Sequence, residues 1–218
     1  MELLAALWEI SIKKLMTPGT ETDDELLILM RSGAEAAFVT LYRRRQAAIY
    51  RFALHMSGSA TAAEDITQEV FLALIRDGCG FDPERGTLSA YLFGIARKLV
   101  LRYLERGRSD VPLDDEGDDS GWPELAVNDD PLMDLTHREG IAALRRAVSA
   151  LPRRYREVVV LCDLEEVDYA DAALILGCPI GTVRSRLHRA RALLLEKLRQ
   201  ERNFRPAMGE WKPLRCLT

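Results

Sequence analysis

Residues 168–191 read DYADAALILGCPIGTVRSRLHRAR, two short helical patterns separated by a Gly-Cys-Pro turn. Asp168 is placed to cap the first helix, and Tyr169, Ala172, Ala173 and Leu176 fall on one side of it. The alanines let a second helix approach closely. Gly177, lacking Cβ, permits the tight backbone of a helix-turn-helix. On the second helix Val183, Leu187, Ala190, Leu194 and Leu198 recur as a buried side, while Thr182, Ser185, His188 and Arg189 face away, with Arg184 on the flank. Gly181-Thr182 lies at the N-terminus, where free N–H groups and a hydroxyl suit a phosphate. Arginine reads the O6/N7 edge of guanine bidentately in the major groove. A solvated basic face would account for the charge alone. It would not account for the glycine turn, the short preceding helix and the sidedness together, which favour DNA recognition.

Five of the eleven residues in 181–191 are Arg or His, in a 218-residue chain of net charge −4. The average conceals an asymmetry. Residues 107–135 hold ten acids and one Arg, net −9, so the remainder sums to +5. Residues 181–205 hold eight Arg or Lys against two Glu, net +6. An acidic, Gly/Pro-containing connector thus separates a near-neutral first part from a basic end, and the connector is expected to be extended or poorly ordered alone.

Outside the connector the periodicity is helical and no run alternates as a strand does. The expected class is all-α: two small helical domains joined by an acidic flexible linker. A capping box at Thr22-Asp-Asp-Glu25 opens a short helix. A second helix runs over roughly 34–56, with Phe38, Leu41, Ile49 and Phe52 inward. Thr61-Ala-Ala-Glu64 starts a third, with Ile66, Val70, Ala73 and Leu74 as its apolar stripe. A fourth spans about 87–106, with Leu88, Tyr91, Leu92, Ile95 and Leu99 inward. Another box, Thr136-His-Arg-Glu139, opens the second set, whose first helix is lined by Ile141, Leu144 and Val148. Pro152 sits at the first turn of the next, which buries Leu151, Tyr155, Val158, Val159 and Cys162. The division is an extension over 1–22, a first domain over 23–106, the linker over 107–135, a second domain over 136–200 and a tail over 201–218.

The apolar start, MELLAALWEISIKKLM, has the reverse of a signal peptide's charge order. It is either an amphipathic docking helix or sequence upstream of a start at Met16. No run reaches the length of a membrane span. The four cysteines are scattered without a CxxC pair or a completing His, which suits reduced, partly buried thiols in the cytoplasm and offers no metal set.

The first domain carries two further constellations. Asp65, Gln68, Glu69 and Leu72 lie away from the third helix's apolar stripe. A solvated face is the default for such a set, a docking surface for a basic partner comes next, and catalysis last, because no His, Cys or glycine-rich loop accompanies the acids. On the fourth helix Lys98, Arg102 and Arg106 recur every four residues, in a helix that also carries Tyr91, Phe93 and Tyr103. Basic groups for phosphate and rings for unstacked bases are what a single strand needs. Tyr91 serves equally well as core.

AEDITQEVFLALI (63–75), GTLSAYLFGIARKLVLRYL (86–104) and LPRRYREVVVLCDLEEVDYADAALILGCPIGTVRSRLHRAR (151–191) resemble bacterial RNA polymerase sigma factors of the extracytoplasmic-function type. The resemblance covers about 23–106 and 136–200. It implies a σ2 domain, a flexible linker and a σ4 domain, association with core RNA polymerase, promoter-specific initiation, and no catalysis or cofactor of its own. By position, Asp65, Gln68, Glu69 and Phe71 match the helix that docks on the polymerase β′ clamp coiled coil. The 88–106 helix, with Tyr91, Lys98 and Arg102, matches the part that opens and reads the −10 element. Thr182, Arg184, Ser185, His188 and Arg189 match the helix that reads the −35 element.

Where the family usually has Trp, Asn and Asp, this chain has Tyr91, Lys98 and Arg102, which keep a ring for stacking and add charge for phosphate. Asp171-Ala172-Ala173 stands where Glu-Ile-Ala is common. The linker would thread toward the polymerase channels, and an anti-sigma factor is implied as a partner, with the tail residues Phe204, Trp211 and Cys216 and the first fifteen residues as candidate contacts. The rivals are a helix-turn-helix regulator that never engages polymerase, an enzyme built on the first helical domain, and an interaction module that sequesters partners without initiating.

Overall fold

The computed structural model describes residues 21–77, 80–109 and 131–200, and these contain eight α-helices and no strand. In chain order they are α1 Asp23–Arg31, α2 Glu35–Ser57, α3 Ala60–Asp77, α4 Leu88–Ser109, α5 Pro131–Ser149, α6 Arg153–Val159, α7 Tyr169–Leu176 and α8 Ile180–Gln200. A 3-10 turn, Pro83–Arg85, precedes α4, and α6 runs on into a π-helical turn, Val160–Leu164. Residues 1–20 of the N-terminal extension, residues 78–79 including Cys79, residues 110–130 of the acidic connector and the C-terminal tail lie outside the described residues.

The capping box at Thr22 forms as expected. Thr22 Oγ1 accepts from the Glu25 N–H at 3.3 Å and Glu25 Oε2 accepts from the Thr22 N–H at 2.9 Å. Asp23 then ties α1 to α2, taking Arg44 Nη1 at 2.7 Å and Arg45 Nε at 2.5 Å. Thr61 does not open the third helix. Helix α3 begins one residue earlier, and Ser59 caps it by accepting from the Ala62 N–H at 3.3 Å. The Ser follows Gly58, whose left-handed φ of +76° ends α2 and aims the chain back.

Around the long α2, helices α3 and α4 bury Leu41, Ile49, Phe52, Val70, Leu74, Leu92 and Val100. Phe52 and Phe93 meet edge-on at 5.5 Å between ring centres. In the second unit α6 packs on α8, with Leu151, Val158, Leu161, Val183 and Leu187 inside. Ile141 and Leu144, expected as the lining of α5, are more than a third exposed, while Ala143, Ala147 and Val148 are buried. The small alanines form the contact because they let α5 lie close against its neighbours. Helix α5 also starts at Pro131, so Thr136 is inside it and opens nothing.

The two helical units do not stand apart. Helix α4 packs on α7, and α2 contacts α5, α6 and the π turn, so one apolar core runs through both. Arg156 helps join them, its guanidinium donating to the carbonyls of Ser149, Leu151 and, at 3.5 Å, Met56 of α2.

Candidate nucleic-acid interface

Gly177 ends α7 with φ +63°, and the Cys178 N–H returns to the Ala173 carbonyl at 3.1 Å. This left-handed step turns the chain sharply enough for α8 to start three residues later. The buried stripe of α8 is as expected: Val183, Leu187, Ala190 and Leu194 are buried, and Leu198 packs at the edge. Arg184, Ser185, His188 and Arg189 are exposed together on the opposite side, and Thr182 is half-buried at its margin. The Arg184 guanidinium lies 5.9 Å from the centre of the Tyr169 ring, a cation–π distance that leans it across α7.

Two details sharpen this face. The Thr182 N–H already donates to the Pro179 carbonyl at 2.8 Å, so any phosphate contact by Thr182 falls to its hydroxyl. Arg191, part of the same basic run, is engaged inward by Asp163 of the π turn through Nη2–Oδ1 at 2.5 Å and Nε–Oδ2 at 3.1 Å. That bond raises the arginine's pKa further and fixes α8 to α6.

On α3, Asp65, Gln68 and Glu69 are exposed and share a surface with Leu72 and Ile75, exposed by 46% and 55%. Glu69 Oε1 pairs loosely with Arg76 at 3.2 Å. Phe71 does not belong to that surface. It is buried and packs edge-on against Tyr42 at 4.7 Å and Phe38 at 6.4 Å, so it supports the face from below. Ile75 was missed because it extends the exposed side beyond the apolar stripe that the spacing reveals.

On α4, Lys98, Arg102, Tyr103 and Arg106 are exposed. Tyr91 is half-buried, its ring 5.7 Å from that of Phe81, so it combines core packing with an accessible edge. Phe93 is buried against Phe52 and is not part of the basic–aromatic face. Among the described residues no group of His, Cys, Asp or Glu is arranged to hold a metal ion, and no helix is long and apolar enough to cross a membrane.

Residues 41–109 match the family described as Sigma-70 region 2 and residues 141–194 match Sigma-70, region 4. The chain is 32% identical to the ECF RNA polymerase sigma factor SigC of Mycobacterium tuberculosis (strain CDC 1551 / Oshkosh), over 81% of this chain and 93% of that one. It is 33% identical to SigE of Mycolicibacterium smegmatis, over 72% of this chain and 60% of that protein's length. Among solved structures it is similar to CnrH in complex with the cytosolic domain of CnrY, with a TM-score of 0.62 and 25% identity over 83% of this chain and 99% of that one. It is also similar to the sigma factor RpoE in complex with the anti-sigma factor NepR from Bartonella quintana, with a TM-score of 0.55 and 28% identity over 74% and 96%. With the region 2 helices and the region 4 helix-turn-helix both present and in that order, the chain belongs to the ECF RNA polymerase sigma factors.

Proposed function

We propose that this sigma factor binds core RNA polymerase through the α3 face and directs initiation by reading the −10 element with α4 and the −35 element with α8. The observation that carries the reading is the sidedness of α8. Four base- or phosphate-seeking side chains, Arg184, Ser185, His188 and Arg189, are held together in water by a stripe that is almost wholly buried. A helix fixed on one side and basic on the other can enter a major groove as a rigid body, with arginine placed for bidentate guanine contact. Lys98 and Arg102 supply phosphate contacts on α4, and the Tyr91 edge supplies a stacking surface. Asp65, Gln68 and Glu69, next to Leu72 and Ile75, offer an acidic rim around an apolar centre, the composition of a docking patch. The domains run over 23–106 and 136–200, an anti-sigma factor is the expected inhibitor, and the whole acts in the cytoplasm without cofactor or catalysis.

Run-off transcription with core polymerase tests the reading, since only a sigma factor yields a defined start site. Arg184→Ala should cost roughly 1–3 kcal/mol at one −35 position and relax specificity there. Equal weakening on every sequence would make Arg184 a phosphate contact instead. Changing Gln68 and Glu69 to Ala should weaken polymerase binding, and unchanged binding would remove the docking assignment.

A further inference from the structure

Arg184 and Arg191 stand seven positions apart on α8, two helical turns, so they share one side of it about 10 Å from each other. Tyr169, the first residue of α7, reaches both. Its ring lies under the Arg184 guanidinium at 5.9 Å. Its hydroxyl acts on Arg191, by charge and by hydrogen bonding, after the stronger hold of Asp163. Asp163 grips the same guanidinium twice, Nη2–Oδ1 at 2.5 Å and Nε–Oδ2 at 3.1 Å. Four side chains from three elements therefore form one line, from the π turn through Arg191 and Tyr169 to Arg184 at the surface.

The two arginines are used in opposite ways. Arg191 commits its N–H edge to Asp163, so that edge is not free for a base. Arg184 meets the ring with its face, which leaves the planar fork of N–H donors available. The backbone behind this line is unusual. In the π turn the Glu165 N–H donates to the Val160 carbonyl at 3.0 Å and the Val167 N–H to that of Leu161 at 2.9 Å. Glu166 then takes a left-handed φ of +53°, a conformation that a non-glycine residue keeps only where its surroundings enforce it. This step sets Asp163 and Tyr169 against the same flank of α8.

We propose that Tyr169 is a positioning residue for −35 selectivity: its ring, anchored through Arg191 to Asp163, holds the Arg184 guanidinium in the orientation that reads a base. The proposal rests on α8 being the −35 helix. An arginine already laid on a ring gives up less rotamer freedom when it docks than one that is loose in water. Tyr169 brings no charge to a phosphate, so its contribution belongs to discrimination between bases and not to general affinity.

The test assembles the full chain with core polymerase and supplies promoters that differ only at the −35 pair whose preference Arg184→Ala relaxes. Tyr169→Leu should reduce discrimination at that pair about two- to fivefold, the size of an exposed cation–π contact, with the salt dependence of binding unchanged. Tyr169→Phe keeps the ring and should retain most of the discrimination. In an Arg184→Ala background Tyr169→Leu should have no further effect. In the isolated chain, the ring-shifted NMR signals of the Arg184 side chain should move in Tyr169→Leu and stay in Tyr169→Phe. If Tyr169→Leu folds poorly by circular dichroism, Asp163→Asn carries the comparison, since it leaves the ring in place, loosens its anchor and should lower discrimination in the same sense. Additive losses from Arg184→Ala and Tyr169→Leu, equal weakening on every promoter, or Arg184 signals indifferent to Tyr169 would each overturn the positioning role. Discrimination lost in Arg184→Ala but kept in Tyr169→Leu overturns that role alone. Arg184→Ala with wild-type preference at every −35 pair overturns the −35 reading, and the selectivity role with it.

Discussion

Lowering the pH from 7.5 to 5.5 should destabilise the fold by about 1 kcal/mol through His55 alone. This imidazole ends α2, where a helix C-terminus would ordinarily favour its charged form. Burial outweighs that attraction, and Arg145 of α5, Arg51 of α2 and Arg156 of α6 add repulsion, so the pKa is pushed down from 6.5 to about 4. The unfolded chain takes up a proton at His55 as the pH falls through 6.5, whereas the folded chain resists until about 4. Stability is therefore lost across that window. At about 1.4 kcal/mol per pH unit, the whole gap amounts to roughly 3 kcal/mol, of which about 1 kcal/mol has developed by pH 5.5. Glu165 works in the opposite direction. Burial raises its pKa against the pull of Arg51, so the folded chain gains its proton first and is favoured on acidification. The His55 share is isolated by comparison with His55→Gln, using urea denaturation at pH 7.5, 6.5 and 5.5. The stability gap between wild type and variant should shift by about 1 kcal/mol against the wild type over that range. Parallel pH profiles for the two proteins would refute the argument.

Phe52→Ala removes a fully buried ring that meets Phe93 edge-on, and should lower the urea-derived stability by roughly 3–5 kcal/mol; a loss below about 1 kcal/mol would mean the pocket collapses. Gly177→Ala meets no atom within 4 Å, so its cost is that of the left-handed backbone, roughly 1–2 kcal/mol by thermal or urea unfolding. Burial, with Asp163 beside it, pushes the Cys162 thiol up to about 11 against a usual 9.0. Its alkylation by iodoacetamide at pH 8, followed by mass spectrometry, should be roughly 100-fold slower in the folded chain than in urea.

The stripes of α3, α4, α6 and α8, the Thr22–Glu25 box and the Gly177 turn were legible in the sequence, because each depends on residues within about four positions of one another. Angular position around a helix is a local property, and so is a cap. The exposed set Arg184, Ser185, His188 and Arg189 follows from the same local rule once Val183 and Leu187 are known to point inward. The local rule does not reach positions where a second helix covers a flank. Phe71 and Phe93 lie beside the stripes, and whether such a ring faces water is decided by Phe38, Tyr42 and Phe52 on α2. Alanines proved to be the contact side of α5, because close approach to its neighbours favours the smaller residue over Ile141 and Leu144.

What tertiary structure alone decided is the relation between the two units. Arg51 meets Glu165 across 114 positions and Thr87 meets Asp171 across 84, and no period in the chain links such pairs. Arg191 likewise reads as one more cation in a basic helix until Asp163 claims it across 28 positions. Sequence by itself determined which helices form and which side of each is apolar, because neighbours along the chain set the backbone and the stripe. The fold decided which charges are engaged and which units touch, because an ion pair depends on distance in space, and the chain order does not record it.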